Sequence, residues 1–184
     1  TPCGTLFPYT TLFRSDVFAD KQGNLFIADN GNRRIRKVDV NGIMTTVAGA
    51  GRCSEWVDDM YGGSWNEYSC SDGDGGPAAE AHLYDPQGVA VDEYGTIWIA
   101  GGSGNRIRKI SPDGLITTAA GNGASVSDGD GEPAVNAGVH QPVDIAVDRF
   151  GSVFFAEYFS DKVRKIDSAG IITTVAGGQH YQFS

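Results

Sequence analysis

Short apolar runs alternate with polar, glycine-containing turn segments along most of the chain, and this alternation recurs. The stretch from Pro86 to Gly121 has counterparts from Asp16 to Gly49 and from Pro142 to Gly177. Equivalent positions lie 72 and then 56 residues apart, as in Gly23, Gly95 and Gly151, in Ile35, Ile107 and Val163, and in Gly49, Gly121 and Gly177. Constant offsets across a whole unit indicate a repeat architecture.

Each unit contains four short runs with strand character. In the middle unit the first run, Val89–Val91, is apolar, and the second, Ile97–Ala100, is rich in β-branched and aromatic residues. The third has the form Arg-Ile-Arg-Lys-Ile, and the fourth is rich in threonine, which is typical of an exposed outer strand. Asp92–Gly95 fits a type I turn. Four antiparallel strands per unit predict a β-propeller blade, and no run is long enough for a helix.

The repeated sequence also resembles a known family. The motif Pro-x-Gly-Val-Ala-Val-Asp-x-x-Gly-x-Ile-Trp-Ile-Ala, followed by Gly-Asn-Arg-Ile-Arg-Lys-Ile and Ile-Thr-Thr-Ala-Ala-Gly, resembles the NHL repeat. The connecting segment Ser-Asp-Gly-Asp-Gly-Gly-Pro-Ala-Ala resembles that of the extended NHL repeats of bacterial and cell-surface proteins, including teneurins. The resemblance implies an all-β fold, a partial β-propeller of three four-stranded antiparallel blades. NHL propellers usually have six blades, so we expect about half of one.

The first fifteen residues do not follow the repeat. Residues 5–15 resemble the translation of a common sequencing adapter, and the repeat begins directly after them. We interpret residues 1–15 as a non-native leader rather than a signal peptide, because Pro8 and Arg14 interrupt the apolar core that a signal peptide requires. Residues 16–184 then form the propeller fragment, with units at about 16–49, 86–121 and 142–177 and a long connection at 50–85.

The first connection between units is longer than the second by an insertion of 16 residues. Alternating strand directions place it on the face that also carries residues 29–33, 101–105 and 157–161, which we call the loop-bearing face. The insertion is rich in aromatic residues, namely Trp56, Tyr61, Trp65 and Tyr68. Because binding residues concentrate on loops held by a rigid scaffold, it is a candidate recognition loop. A loop that only folds on itself is the alternative.

Cys53 and Cys70 flank the insertion where it departs from the shorter connection. A disulfide between them would close the loop at its neck and, in the chain-entropy model, stabilise the fold by about 3 kcal/mol. Since disulfides persist in oxidising compartments, this pair predicts an extracellular or cell-surface protein. Two unrelated buried thiols are the alternative, because spacing alone does not define a pair.

Two Ser-Asp-Gly-Asp-Gly segments place carboxylates two residues apart, at Asp72 and Asp74 and at Asp128 and Asp130. Oxygen ligands separated by glycine are compatible with a calcium loop. Neither segment supplies the third oxygen residue and the distant glutamate of an EF-hand. We therefore favour turn formation and helix capping by these residues, keep a calcium site as the alternative, and expect no other cofactor.

The formal net charge of −9 disfavours a polyanionic partner such as nucleic acid. Each unit nevertheless contains a basic row, which covers residues 34–37, 106–109 and 162–165. Some NHL propellers bind RNA, so the resemblance keeps RNA binding as an alternative. Because the row recurs once per unit, we favour a structural role, in which arginine stems pack between blades and their heads meet Asp29, Glu157 or backbone carbonyls.

No catalytic residues are predicted, since His82, His140 and His180 are not repeat-equivalent and lack metal-ligand spacing. We predict a non-catalytic binding or scaffold module that recognises a protein or glycan. The alternative is a fragment of a metal-dependent propeller enzyme of the lyase or lactonase kind, which distant relatives of the family include. No stretch is apolar over the length of a membrane span. Three blades alone would expose apolar faces, so self-association is expected.

Overall fold

A computed structural model describes residues 16–51 and 73–178, together with the backbone of residues 55–57 and 64–66. The predicted leader, residues 1–15, lies outside the described residues. In the described part of the chain, three four-stranded sheets and one two-stranded hairpin are present. The prediction of an all-β fold with three four-stranded antiparallel β-propeller blades is confirmed.

Within each blade the strands lie side by side in chain order. Blade 1 consists of β1 (Asp16–Ala19), β2 (Leu25–Asp29), β3 (Arg34–Val38) and β4 (Met44–Ala48). The insertion contributes the hairpin of β5 (Glu55–Val57) and β6 (Ser64–Asn66). Blade 2 consists of β7 (Gly88–Val91), β8 (Ile97–Ala100), β9 (Ile107–Ile110) and β10 (Ile116–Ala120). Blade 3 consists of β11 (Pro142–Val147), β12 (Val153–Glu157), β13 (Lys162–Ile166) and β14 (Ile172–Gly177).

An aspartate and a glycine form the turn between the first two strands of each blade. In blade 2 the Asp92 carboxylate accepts hydrogen bonds from the backbone N–H groups of Tyr94 (3.0 Å) and Thr96 (2.8 Å). Gly95 donates its N–H to the Asp92 carbonyl (3.1 Å) and has a φ of +85°, a conformation that glycine adopts without strain. The predicted turn chemistry thus fixes the register of β7 and β8.

The core lies between successive blades. Three side chains of blade 1 pack in one buried cluster with three of blade 2; they are Ala28, Ile35 and Ala48, packed with Val89, Ile97 and Ile116. The equivalent residues one repeat later form the second cluster, in which Ala100, Ile107 and Ala120 pack with Ile145, Val153 and Ile172. Each blade therefore presents one kind of apolar face to the preceding blade and a second kind to the following blade, as in other repeat proteins.

Each described connection also covers the outer strand of the blade that follows it. The connection before blade 2 pairs with that blade through an antiparallel bridge between Pro77 and Leu115, and Pro133 and Ile171 form the same bridge in blade 3. The threonine-rich fourth run predicted an exposed outer strand, and β4 and β14 are mostly exposed. The connection pairs only with the start of β10 and of β14. No pattern of side chains indicates this pairing, because it consists of main-chain hydrogen bonds.

Candidate binding face

Asp85, at the end of the connection between blades 1 and 2, joins the loops of the loop-bearing face. Its backbone is left-handed (φ +53°), and its carboxylate accepts a hydrogen bond from the Asn30 side chain of blade 1. The same carboxylate accepts hydrogen bonds from the backbone N–H (3.0 Å) and the hydroxyl (2.9 Å) of Ser103 in blade 2. These contacts confirm that the loops between second and third strands share one face with the connections.

Asn105 makes the corresponding link between blades 2 and 3. Its side chain is buried, Oδ1 accepts a hydrogen bond from the backbone N–H of Gln141 (3.0 Å), and Nδ2 donates to Ser125 Oγ (3.0 Å). Gln141 occupies the position of Asp85 one repeat later and shares its left-handed backbone, with a φ of +50°. These polar side chains hold the loops in place, which gives the face a rigid scaffold.

Two exposed aromatic side chains lie on this face in blade 3. Tyr158 and Phe159 are each 64% exposed, and their rings meet edge to face at a centroid separation of 5.1 Å. The Phe159 ring also packs against His140 at 5.2 Å, and Ser160 Oγ lies 3.3 Å from His140 Nδ1. We call Tyr158, Phe159 and His140 the aromatic cluster. Large rings with little conformational freedom are typical of the residues that dominate protein interfaces.

The aromatic cluster was not predicted from the sequence, although a signal was present. Tyr158 and Phe159 replace small turn residues of the other two blades, which are Asn30 and Gly31 in blade 1 and Gly102 and Ser103 in blade 2. Glycine and asparagine suit a tight turn, whereas two adjacent aromatic residues contribute nothing to it. A comparison of equivalent loop positions would have identified this departure from the repeat.

The aromatic insertion is described only in part. Its backbone forms the β5–β6 hairpin, in which Trp56 and Trp65 stand directly opposite each other. The remaining predicted residues of this region, Cys53, Tyr61, Tyr68, Cys70 and Asp72, lie outside the described residues. The recognition loop and the Cys53–Cys70 disulfide therefore stay predictions.

The described aspartates of the Asp-Gly segments contact arginine or backbone groups. Asp74 Oδ1 lies 2.5 Å from Arg108 Nη2, and Asp130 Oδ1 lies 2.7 Å from Arg164 Nη2. Asp128 Oδ1 accepts a backbone hydrogen bond at 2.8 Å. These contacts support the structural interpretation of the two segments, and calcium binding stays the alternative prediction.

The pKa values of both arginine-bound aspartates are lowered. Burial by itself raises the pKa of Asp74, but hydrogen bonds from Thr118 and the charge of Arg108 outweigh it, so the net shift is downward. The pKa of Asp130 is lowered in the same way: burial raises it, but hydrogen bonds from Thr174 and the charge of Arg164 outweigh this effect. Both side chains are therefore carboxylates at neutral pH, as their ion pairs require.

Side chains of the basic rows contact other groups within the protein. Arg164 is fully buried, contacts Glu157 Oε1 at 3.2 Å and donates to the backbone carbonyl of Asp128 at 2.9 Å. The expected contacts with Glu157 and with carbonyls are thus present, whereas the carboxylate of Asp29 accepts a hydrogen bond from Asn32 (2.9 Å). The last lysine of each row lies over an aromatic ring, with Lys37 over Phe26, Lys109 over Trp98 and Lys165 over Phe154. This arrangement favours the structural role over RNA binding.

Within residues 16–51 and 73–178, no group of three or more His, Cys, Asp or Glu side chains is placed to hold a metal ion. No helix in the described part of the chain is long and apolar enough to cross a membrane. The loop-bearing face is the candidate site because the exposed rings of Tyr158 and Phe159 lie on it. A metal-dependent propeller enzyme stays the alternative prediction.

Comparisons with known proteins agree with this architecture. A family model described as the teneurin NHL domain matches residues 64–128 and 123–184. Teneurin-1 of Gallus gallus is 32% identical over 112 residues, and teneurin-4 of Homo sapiens is 32% identical over 108 residues. A solved structure of a protein of unknown function from Bacteroides thetaiotaomicron has a TM-score of 0.59 at 24% identity, covering 78% of this chain and 32% of that one.

Three stacked four-stranded blades with a shared inter-blade core define a β-propeller repeat protein. Because the family model matches more than half of the chain, the chain belongs to the teneurin NHL domain family. The two teneurin matches cover 56% and 54% of this chain but only 4% and 3% of the relatives' own lengths. The chain thus corresponds to a small part of those proteins.

Proposed function

We propose that this chain is a non-catalytic binding module that recognises a protein partner through its loop-bearing face, with Tyr158 and Phe159 as the anchor. The observation that carries this proposal is the 64% exposure of both rings on a face fixed by Asp85 and Asn105. Burying such rings in a complex removes a large apolar area from water. Membership in the teneurin NHL domain family supports a binding or scaffold role.

The geometry of the aromatic cluster favours a protein over a glycan. The planes of Tyr158 and Phe159 are inclined by 74°, and those of Phe159 and His140 by 35°. The three rings therefore present edges and an angled cleft, which suit an apolar side chain. A sugar ring would stack best on one flat, unobstructed aromatic face.

A peptide phage library and a glycan array, both screened with the 184-residue chain, test this proposal. We expect selected peptides to bind the native chain and to bind the double variant Tyr158→Ala/Phe159→Ala at least about tenfold more weakly, as for interface hot spots. The matched control is Tyr94→Ala/Phe150→Ala, because these residues are 73% and 71% exposed on the opposite face. The control variant should bind like the native chain.

Selected peptides that are insensitive to Tyr158→Ala/Phe159→Ala would show that the anchor lies elsewhere. Binding on the glycan array that is lost in the same double variant would replace the protein partner by a carbohydrate. A uniform loss of binding in both double variants, with reduced stability, would indicate misfolding and would be resolved with the single variant Phe159→Leu.

We also propose an extracellular or cell-surface location, supported by the spacing of Cys53 and Cys70 around the insertion. A Cys3→Ser variant of the chain should show no free thiol before reduction and two after it. Replacing both remaining cysteines by serine should lower the free energy of unfolding by about 3 kcal/mol. Two free thiols in the unreduced, oxygen-exposed protein would remove the main support for this location.

A further inference from the structure

The outer strands of blades 2 and 3 are covered by the same main-chain hydrogen bonds. In blade 2, Gly75 N–H donates to the Ile116 carbonyl (2.7 Å), and Ile116 N–H donates to the Gly76 carbonyl (3.1 Å). In blade 3, Gly131 N–H donates to the Ile172 carbonyl (2.8 Å), and Ile172 N–H donates to the carbonyl of residue 132 (3.1 Å). The Asp-Gly segment that precedes blade 2 or blade 3 therefore pairs with the start of that blade's outer strand through main-chain hydrogen bonds.

A carboxylate fixes each of these segments to the blade. Asp74 and Asp130 contact Arg108 and Arg164 at 2.5 and 2.7 Å, and both arginine side chains are almost fully buried. Main-chain pairing and a charge-assisted contact thus act together at one edge.

Blade 1 has the equivalent arginine and threonine, but these side chains have different contacts. Its equivalent arginine, Arg36, is half-buried and donates to Thr46 Oγ1 (2.6 Å), and it meets no carboxylate within the described part of the chain. Met44 is the counterpart of Ile116, and no described residue pairs with the outer edge of β4.

We propose that the outer edge of β4 is a binding site for an Asp-Gly-Asp-Gly-x-Pro segment supplied by another NHL-type repeat. The segment pairs with the backbone of Met44, and its second aspartate binds Arg36 and Thr46. Two occupied copies of this arrangement in the same chain define the chemistry of the ligand. The site lies at the sheet edge and is independent of the proposed function of the loop-bearing face.

The probe is a fluorescent peptide with the sequence of residues 127–139, titrated with the 184-residue chain and followed by fluorescence polarisation. Replacing the aspartate that corresponds to Asp130 by asparagine in the peptide should weaken binding by roughly 10- to 100-fold, as expected for a hydrogen bond to a charged group. Arg36→Gln in the protein should have the same effect. Lys37→Gln removes the same charge on the opposite side of β3 and should leave the affinity unchanged.

Amide hydrogen exchange locates the bound peptide. Without peptide, the Met44 N–H should exchange faster than the N–H groups of Ile116 and Ile172, and saturating peptide should slow Met44 alone. N-methylation of the peptide glycine that corresponds to Gly131 should remove this protection, and this test does not depend on whether Arg36→Gln folds. A scrambled peptide that binds equally well, or equal effects of Arg36→Gln and Lys37→Gln, would overturn the proposal.

Discussion

At the scale of single residues, the guanidinium of Arg164 is a buried charge that requires oppositely charged partners. It is 0% exposed and contacts the fully buried carboxylate of Glu157 at 3.2 Å and the half-exposed carboxylate of Asp130 at 2.7 Å. Removing one partner of such a buried pair leaves an uncompensated charge away from water. These ion pairs compensate the charge of the Arg164 guanidinium at its buried position.

Arg164→Met should lower the free energy of unfolding by about 3–5 kcal/mol, because it leaves Glu157 buried without its partner. Lys165→Met is the control, since Lys165 lies over the Phe154 ring (5.7 Å) and should cost at most about 1 kcal/mol. Urea unfolding of both variants measures the difference. Equal losses of stability would contradict the central role of the Arg164 ion pairs.

The lowered pKa of Asp130 makes part of the stability dependent on pH. A carboxyl group whose folded-state pKa lies below its unfolded value stabilises the fold above the unfolded pKa of about 3.9. This contribution is lost as the pH falls through the folded-state value. Asp130→Asn should therefore be less stable than the native chain at pH 7, and the difference should shrink towards pH 2.

Urea unfolding at pH 7, 4 and 2 tests this expectation. Glu93→Gln, which removes one exposed carboxylate, serves as the control and should follow the native chain at every pH. A stability difference for Asp130→Asn that stays constant from pH 7 to pH 2 would show that the folded-state pKa is not lowered.

At the scale of the structural elements, the glycine that ends each fourth strand is fixed by a close approach. Gly121 has a φ of +94°, and a Cβ atom built there would overlap with the carbonyl oxygen of Asn105. Gly114, in the β9–β10 turn, has a similar φ of +85° but no atom within 4 Å of its Cβ position. The two glycines therefore separate steric overlap from backbone strain.

Gly114→Ala should cost about 1–2 kcal/mol, the penalty for a left-handed residue with a Cβ atom. Gly121→Ala should destabilise the fold clearly more, because the backbone at Asn105, just before β9, must move to accommodate the methyl group. Thermal and urea unfolding of the two variants give the comparison. Similar destabilisation by both substitutions would mean that the backbone around Asn105 yields easily.

The repeat made the elements predictable, but it did not reveal the site. The run Ile97–Ala100 coincides with β8, because three matched copies constrain where each strand begins and ends. The link from Asp85 to Asn30 spans 55 residues and depends on a left-handed backbone, which no sequence pattern specifies. The aromatic cluster was detectable only as a departure from the repeat, since a search for recurring residues passes over the loop that differs.

At the scale of the whole molecule, the two end blades differ from the middle one in what they expose. Val17 of blade 1 is 54% exposed, whereas its counterpart Val89 is 1% exposed. Val163 of blade 3 is 36% exposed, whereas its counterpart Ile107 is 0% exposed. The open face of blade 1 corresponds to the face that blade 2 packs against blade 1. The open face of blade 3 corresponds to the face that blade 2 packs against blade 3.

Two copies of this chain could therefore pack blade 3 of one copy against blade 1 of the other, twice, in a closed ring of six blades. We expect residues 16–184, and the 184-residue chain, to self-associate with a preference for dimers when measured by light scattering. Val163→Asp places a charge on the face that would be buried and should shift the population to monomers. Val40→Asp, at a position 66% exposed in the β3–β4 turn, should leave the mass unchanged. A monodisperse native monomer that melts cooperatively would show that three blades suffice without a partner.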